Sequence, residues 1–106
     1  EGLAFDSFRA FKKWAGDAGT DFDWHHIVEQ NPGNIKAFGK KAIQNSVNLF
    51  KVLKNVHRGK GSISAYYSSK QAFTAGLTVR QWLATKSYAE QFEFGMQVLK
   101  TFGVIK

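Results

Sequence analysis

Cysteine is absent from these 106 residues, proline occurs once, and positions 30 to 89 hold no acidic side chain at all. The missing cysteines exclude disulfides, thiolate zinc sites and a thiol nucleophile, so any metal must be held by histidine, carboxylate or amide groups. No apolar run approaches the ~20 residues needed to span a bilayer, and no basic, apolar, small-residue pattern of a signal peptide opens the chain. A chain that starts at Glu1 rather than methionine reads as a piece of a longer one.

The missing acids carry the most information. All acidic residues lie within positions 1 to 29 or at Glu90 and Glu93, while the acid-free stretch carries Lys36, Lys40, Lys41, Lys51, Lys54, Arg58, Lys60, Lys70, Arg80 and Lys86. The net charge of +7 understates this asymmetry. An uncompensated cationic field draws in polyanions, of which nucleic acid is the commonest. The plainer reading is a solvated basic surface that maintains solubility.

What is present describes a folded object. Hydrophobic residues make up 43% and aromatics 15% of a chain long enough for one core, so residues 1–106 read as a single domain. Phe5, Phe8, Phe11 and Trp14 recur at three-residue steps with basic residues between them, which predicts an amphipathic helix over residues 2 to 15, closed by Gly16. DFDWHHIVEQ is aromatic and partly β-branched and reads as extended. Asn31 to Asn34 form a turn, and Asn34 can cap a helix over 35 to 44. NSVNLFKVL reads as a short strand or turn, and Ser62 as the cap of a helix running towards Gly76. Thr78 with Gln81 and Ser87 with Glu90 have the spacing of capping boxes, the second opening a core helix with Tyr88, Phe92, Gly95, Val98, Leu99 and Phe102 on one side. The predicted class is α+β, mainly α, with a small irregular or hairpin histidine region packed against several helices.

Only three histidines occur, and two are adjacent: Trp24, His25 and His26, then Asn48, then His57 nine positions later, followed by Arg58 and Lys60. On an extended strand, neighbours point to opposite faces, so His25 and His26 seldom do the same work. A lone histidine among apolar neighbours is most often an ordinary satisfied side chain, Trp24 a core anchor, and Asp23 and Glu29 a cap and a surface charge. The spaced set, however, contains what phosphodiester hydrolysis needs: a base for water, and groups that hold the extra negative charge and the leaving oxygen.

The set WHH, Asn48, His57 and the following ISAYYSS resembles the HNH endonuclease superfamily, in the histidine-pair toxin branches at the C-termini of bacterial polymorphic and contact-dependent growth inhibition (CDI/Rhs) toxins. The resemblance covers roughly residues 22 to 70, and VRQWL and QFEFG look like the C-terminal support of such domains. It implies an HNH-like ββα unit. In that unit His25 binds a divalent metal (Mg or Zn), His26 is the general base, Asn48 holds and orients that base, and His57 is a second metal ligand. Asp23 or Glu29 would complete the metal shell. Arg58, Lys60, Lys54 and Lys51 would contact phosphates, with Lys40 and Lys41 as further backbone-binding surface.

Two positions depart from the pattern. A further metal ligand often follows the last histidine by one helical turn, where this chain has Gly61; and position 44, often histidine in such toxins, is Gln44. The resemblance therefore leaves two enzymes open: a metal-dependent DNase, and a metal-free ribonuclease cutting tRNA with a histidine acid/base pair and no cofactor. A non-catalytic basic nucleic-acid-binding module is the alternative from another class. The resemblance also implies a DNA or RNA substrate, a cognate acidic immunity protein, in some cases a host activating protein, and secretion within a larger effector that acts in the target-cell cytoplasm.

Overall fold

The computed structural model describes residues 2 to 106. Its centre is set by two strands far apart in sequence. β1 (Phe22–His26) and β2 (Leu49–Leu53) pair antiparallel, with Phe22 opposite Leu53 and His26 opposite Leu49. Helix α4 (Lys54–His57) follows β2 without a break. The three elements form a strand-strand-helix unit whose strands are joined by the whole segment from 27 to 48 instead of a tight turn.

Helix α1 (Phe8–Ala15) starts later than the aromatic spacing predicts, because Ser7 Oγ accepts from the Ala10 N–H at 3.0 Å and so caps it. The residues before it are spent elsewhere: Ala4 bridges to Asn45, and the Phe5 N–H donates to the Gln44 carbonyl at 2.8 Å. In the connecting segment, the expected single helix from Asn34 is two pieces, α2 (Pro32–Phe38) and α3 (Lys40–Ile43). Asn31 is the cap, and Pro32 occupies the first turn, where its missing N–H is no loss. Gly39, at φ 87, separates the two. Asn34 is buried, and its amide donates to the Glu29 carbonyl and to Gln91 on a distant helix.

Helix α5 (Ile63–Tyr67) has the predicted Ser62 cap but stops well before Gly76. Lys70 bridges to Thr78 instead, and residues 72 to 74 make one 3-10 turn. Both capping boxes form where the spacing places them, opening α6 (Val79–Leu83) and α7 (Tyr88–Thr101). The fold is α+β and mainly helical.

The core joins Ile27 and Val52 from the strand region to Ile63, Tyr67, Val79, Leu83, Val98 and Leu99 from the helices. Burying each such aliphatic chain is worth about 1.5–3 kcal/mol against leaving it in water. Gly95 lets α7 press directly on the backbone just beyond His26: a Cβ there would lie 2.6 Å from the Ile27 carbonyl oxygen. Among the described residues, no helix is long and apolar enough to cross a membrane.

Candidate active site

Strand alternation puts Asp23 and His25 on one face of β1 and His26 on the other. β1 has a partner on one edge only, so a cleft along its other edge can reach both faces. One does: a cleft of about 940 Å³ is lined by Asp23, His25, His26 and His57, with Lys12, Lys54, Arg58 and Arg80 around them.

On the first face the geometry is a relay of three side chains. The Asp23 carboxylate accepts from His57 Nδ1–H at 2.9 Å and takes Arg58 as well, through Nε at 3.1 Å and Nη2 at 3.3 Å. Holding Nδ1–H in this way leaves the His57 Nε2 lone pair free. The His57 ring lies 5.1 Å from the His25 ring, nearly edge-on. His25 is only 4% exposed, and its Nε2 is buried with no hydrogen-bond partner. Burial above all, and then the neighbouring His57 and His26, push its pKa down to about 3. His25 is therefore a neutral imidazole throughout the physiological range, with an unused nitrogen beside a carboxylate-oriented partner.

On the other face, His26 packs against Phe8 of α1 at 4.8 Å, and its Nε2–H donates to Gln44 Oε1 at 2.8 Å. Burial lowers its pKa, the Gln44 bond works against that, and His57 lowers it further. It too is held neutral, the state in which an imidazole can accept a proton.

Asn48 does not hold His26, contrary to the role the resemblance implies. It is fully buried, and its amide is used up on backbone: Oδ1 accepts from the Val28 N–H at 2.8 Å, while Nδ2 donates to the Val28 and Ile43 carbonyls, each at 3.0 Å. Its own carbonyl accepts from the Ile27 N–H at 2.9 Å. Asn48 thus locks the chain that leaves β1 onto the chain that enters β2, and the partner of His26 is Gln44.

The carboxylates also differ from expectation as metal ligands. Both oxygens of Glu29 are gripped by Arg80, at 2.7 and 2.9 Å, and this pair braces the segment that follows β1 against α6. Asp23 is engaged by His57 and Arg58 and so stands behind His57. Among the described residues no group of three or more His, Asp or Glu converges as a metal shell. The donors that fit a divalent ion are the two imidazoles. One of them carries the carboxylate support that ligating histidines usually have, and the remaining positions fall to water or substrate oxygen. Imidazole donors favour zinc and similar transition metals over magnesium.

Of the predicted phosphate contacts, Lys54 and Arg58 line the cleft, while Lys51, Lys60, Lys40 and Lys41 are exposed away from it. Lys51 instead lies over the Trp24 ring at 5.5 Å. Trp24 is an anchor, with its indole N–H on the Gly16 carbonyl at 3.0 Å and its ring against Phe11. Sequence reasoning missed Lys12 and Arg80, which the chain path alone brings to the cleft. It also missed the support that Asp23 gives His57, although Asp23 sits two positions before His25 on the same strand face. No protein-family model, curated protein or solved structure matches this chain.

Proposed function

We propose that this domain is a nuclease that hydrolyses phosphodiester bonds in the β1 cleft, with a metal-dependent, HNH-like cut of DNA as the leading reaction. The observation that carries this reading is the meeting of His25, with its unused buried nitrogen, and the Asp23-supported His57 beside a neutral His26. His25 and His57 would hold the divalent ion. Once bound, that ion supplies positive charge to the scissile phosphate and the leaving oxygen. His26 takes the proton from the attacking water, which its neutral state allows. Lys54 and Arg58 fix the phosphate, and Lys12 and Arg80 also line the cleft. Asn48 acts at one remove, by setting the path of the backbone from which His26 projects.

A second reading draws on His26 and His57, an imidazole pair that also suits metal-free cleavage of RNA. There His26 would be the base towards a ribose 2′-hydroxyl and His57, oriented by Asp23, the acid. In either case the domain would act as the toxic end of a larger secreted effector in the target-cell cytoplasm. Its producer would be protected by an acidic immunity protein that covers the basic cleft.

The test is an end-mapped digest of plasmid DNA and total RNA by the wild type and His26→Ala, with Mg²⁺, Zn²⁺ or chelator. The leading reading expects DNA cutting that needs the ion and disappears in the variant. Cutting of RNA alone, unaffected by chelator, would replace it with the ribonuclease. Binding without any cutting would leave a nucleic-acid-binding module.

A further inference from the structure

Gln44 sits at the head of a short chain of amides that ends on the candidate base. His26 Nε2 and Gln44 Oε1 are 2.8 Å apart, and Gln44 Nε2 donates to Gln30 Oε1 at 2.7 Å. Gln44 is held in place: it is 4% exposed, its backbone N–H is bonded to the Lys40 carbonyl at 2.7 Å, and its backbone carbonyl takes the Phe5 N–H at 2.8 Å. A carbonyl oxygen can only accept, so a neutral imidazole facing it must carry its proton on that side.

We propose that Gln44 is a positioning residue for His26: its side-chain carbonyl holds the imidazole as the Nε2–H tautomer and leaves Nδ1 as the bare nitrogen. Gln30 gives the amide its polarity by accepting from the other end. The catalytic consequence rests on the nuclease reading above; the hold on His26 does not. Without the Gln44 oxygen, both tautomers become available, and the fraction of molecules with the basic nitrogen correctly placed falls. The cost lands on turnover, because Gln44 is not among the residues lining the cleft.

The experiment is long-range ¹H–¹⁵N correlation on histidine-labelled protein, wild type and Gln44→Met, above about pH 8, where free imidazoles are neutral. The expected wild-type pattern for His26 is a protonated Nε2 and a bare Nδ1, shifting to a mixture in Gln44→Met. Methionine keeps most of the side-chain volume while removing the acceptor. In cleavage assays the variant should lose kcat by ~10- to 100-fold, with KM changed less than about twofold. A wild-type His26 protonated on Nδ1, which the reversed amide chain would impose, overturns the proposal, and this spectrum needs no variant to fold. So does a pattern indifferent to Gln44→Met. If the spectra come out as expected but His26→Ala still cuts nucleic acid, the catalytic role of His26 falls and the hold by Gln44 stands.

Discussion

Around α6 and α7, most polar groups that folding takes from water are given partners, with the buried Tyr67 hydroxyl packed against them as an exception, whereas β1 buries two adjacent imidazoles and leaves one nitrogen of His25 with none. Thr78 and Gln81, and Ser87 and Glu90, close reciprocal capping boxes, and buried Gln91 is bonded to Asn34 and to the Lys86 carbonyl. A buried polar atom without a partner costs about 1–3 kcal/mol. On the proposed nuclease reading, the cost at His25 is tolerated because its unpaired nitrogen is kept for the ion.

Substitutions in the two halves should therefore fail in different ways. The largest effect is expected from His26→Ala, which should lower cleavage by ~10³-fold while the circular dichroism spectrum stays native and stability falls by only about 1–3 kcal/mol, the cost of a lost buried hydrogen bond. A collapse of stability of the same size would move His26 from the chemistry to the core.

Acid comes next. The unfolded chain protonates His25 near pH 6.5, while the folded chain resists until about pH 3. Between those values the unfolded state binds more protons, so stability is full above pH 6.5 and is lost as the pH falls. The loss reaches on the order of 4 kcal/mol from this residue alone. Urea unfolding at pH 7, 5.5 and 4.5 should show the decline, and His25→Gln should flatten it; an equal slope in both proteins would refute the assignment.

Asn48→Ala should cost about 3 kcal/mol, since it strips partners from Val28 and Ile43 at once. Activity should fall with it, because the backbone leaving His26 is no longer fixed. The smallest effect belongs to the helical half: Ser87→Ala, losing the cap of α7, should cost about 1 kcal/mol and leave kcat and KM unchanged. A change in kcat there would mean that the two halves are less separable than their hydrogen bonding implies.

The parts of the molecule legible in its sequence are those fixed by short-range rules. The capping boxes at Thr78 and Ser87 depend on a three-residue spacing, and both formed. The extended reading of DFDWHHIVEQ held over Phe22–His26 only, and NSVNLFKVL, read as a short strand or turn, is a 3-10 turn followed by the strand Leu49–Leu53. Failures arose where a side chain had a distant partner. Asn34 looked like a cap but is drawn inward by Gln91, fifty-seven positions away. The predicted run from Ser62 to Gly76 ignored the bridge from Lys70 to Thr78.

The site divides in the same way. His25, His26 and His57 line one cleft, and Asn48 lies outside it, bonded to the backbone of Ile27, Val28 and Ile43. What each one bonds to was not legible, because Gln44, Gln30 and Arg80 reach the site through tertiary folding. Glu29 shows this most clearly: a candidate ligand by proximity to the histidines, it is committed to an arginine fifty-one positions later.

Two of the three bonds from the Asn48 amide, those to Val28, also bear on how the site comes into being. They join the two ends of the long connection between β1 and β2, so they cannot form while that connection is open. Closing it carries an entropic cost that rises only slowly with its length, and the buried amide recovers that cost in a single step. The strands, the position of His26 and the meeting of His25 with His57 should then appear together in refolding. Recovery of cleavage should track recovery of the native near-ultraviolet signal, with no earlier species that is partly active.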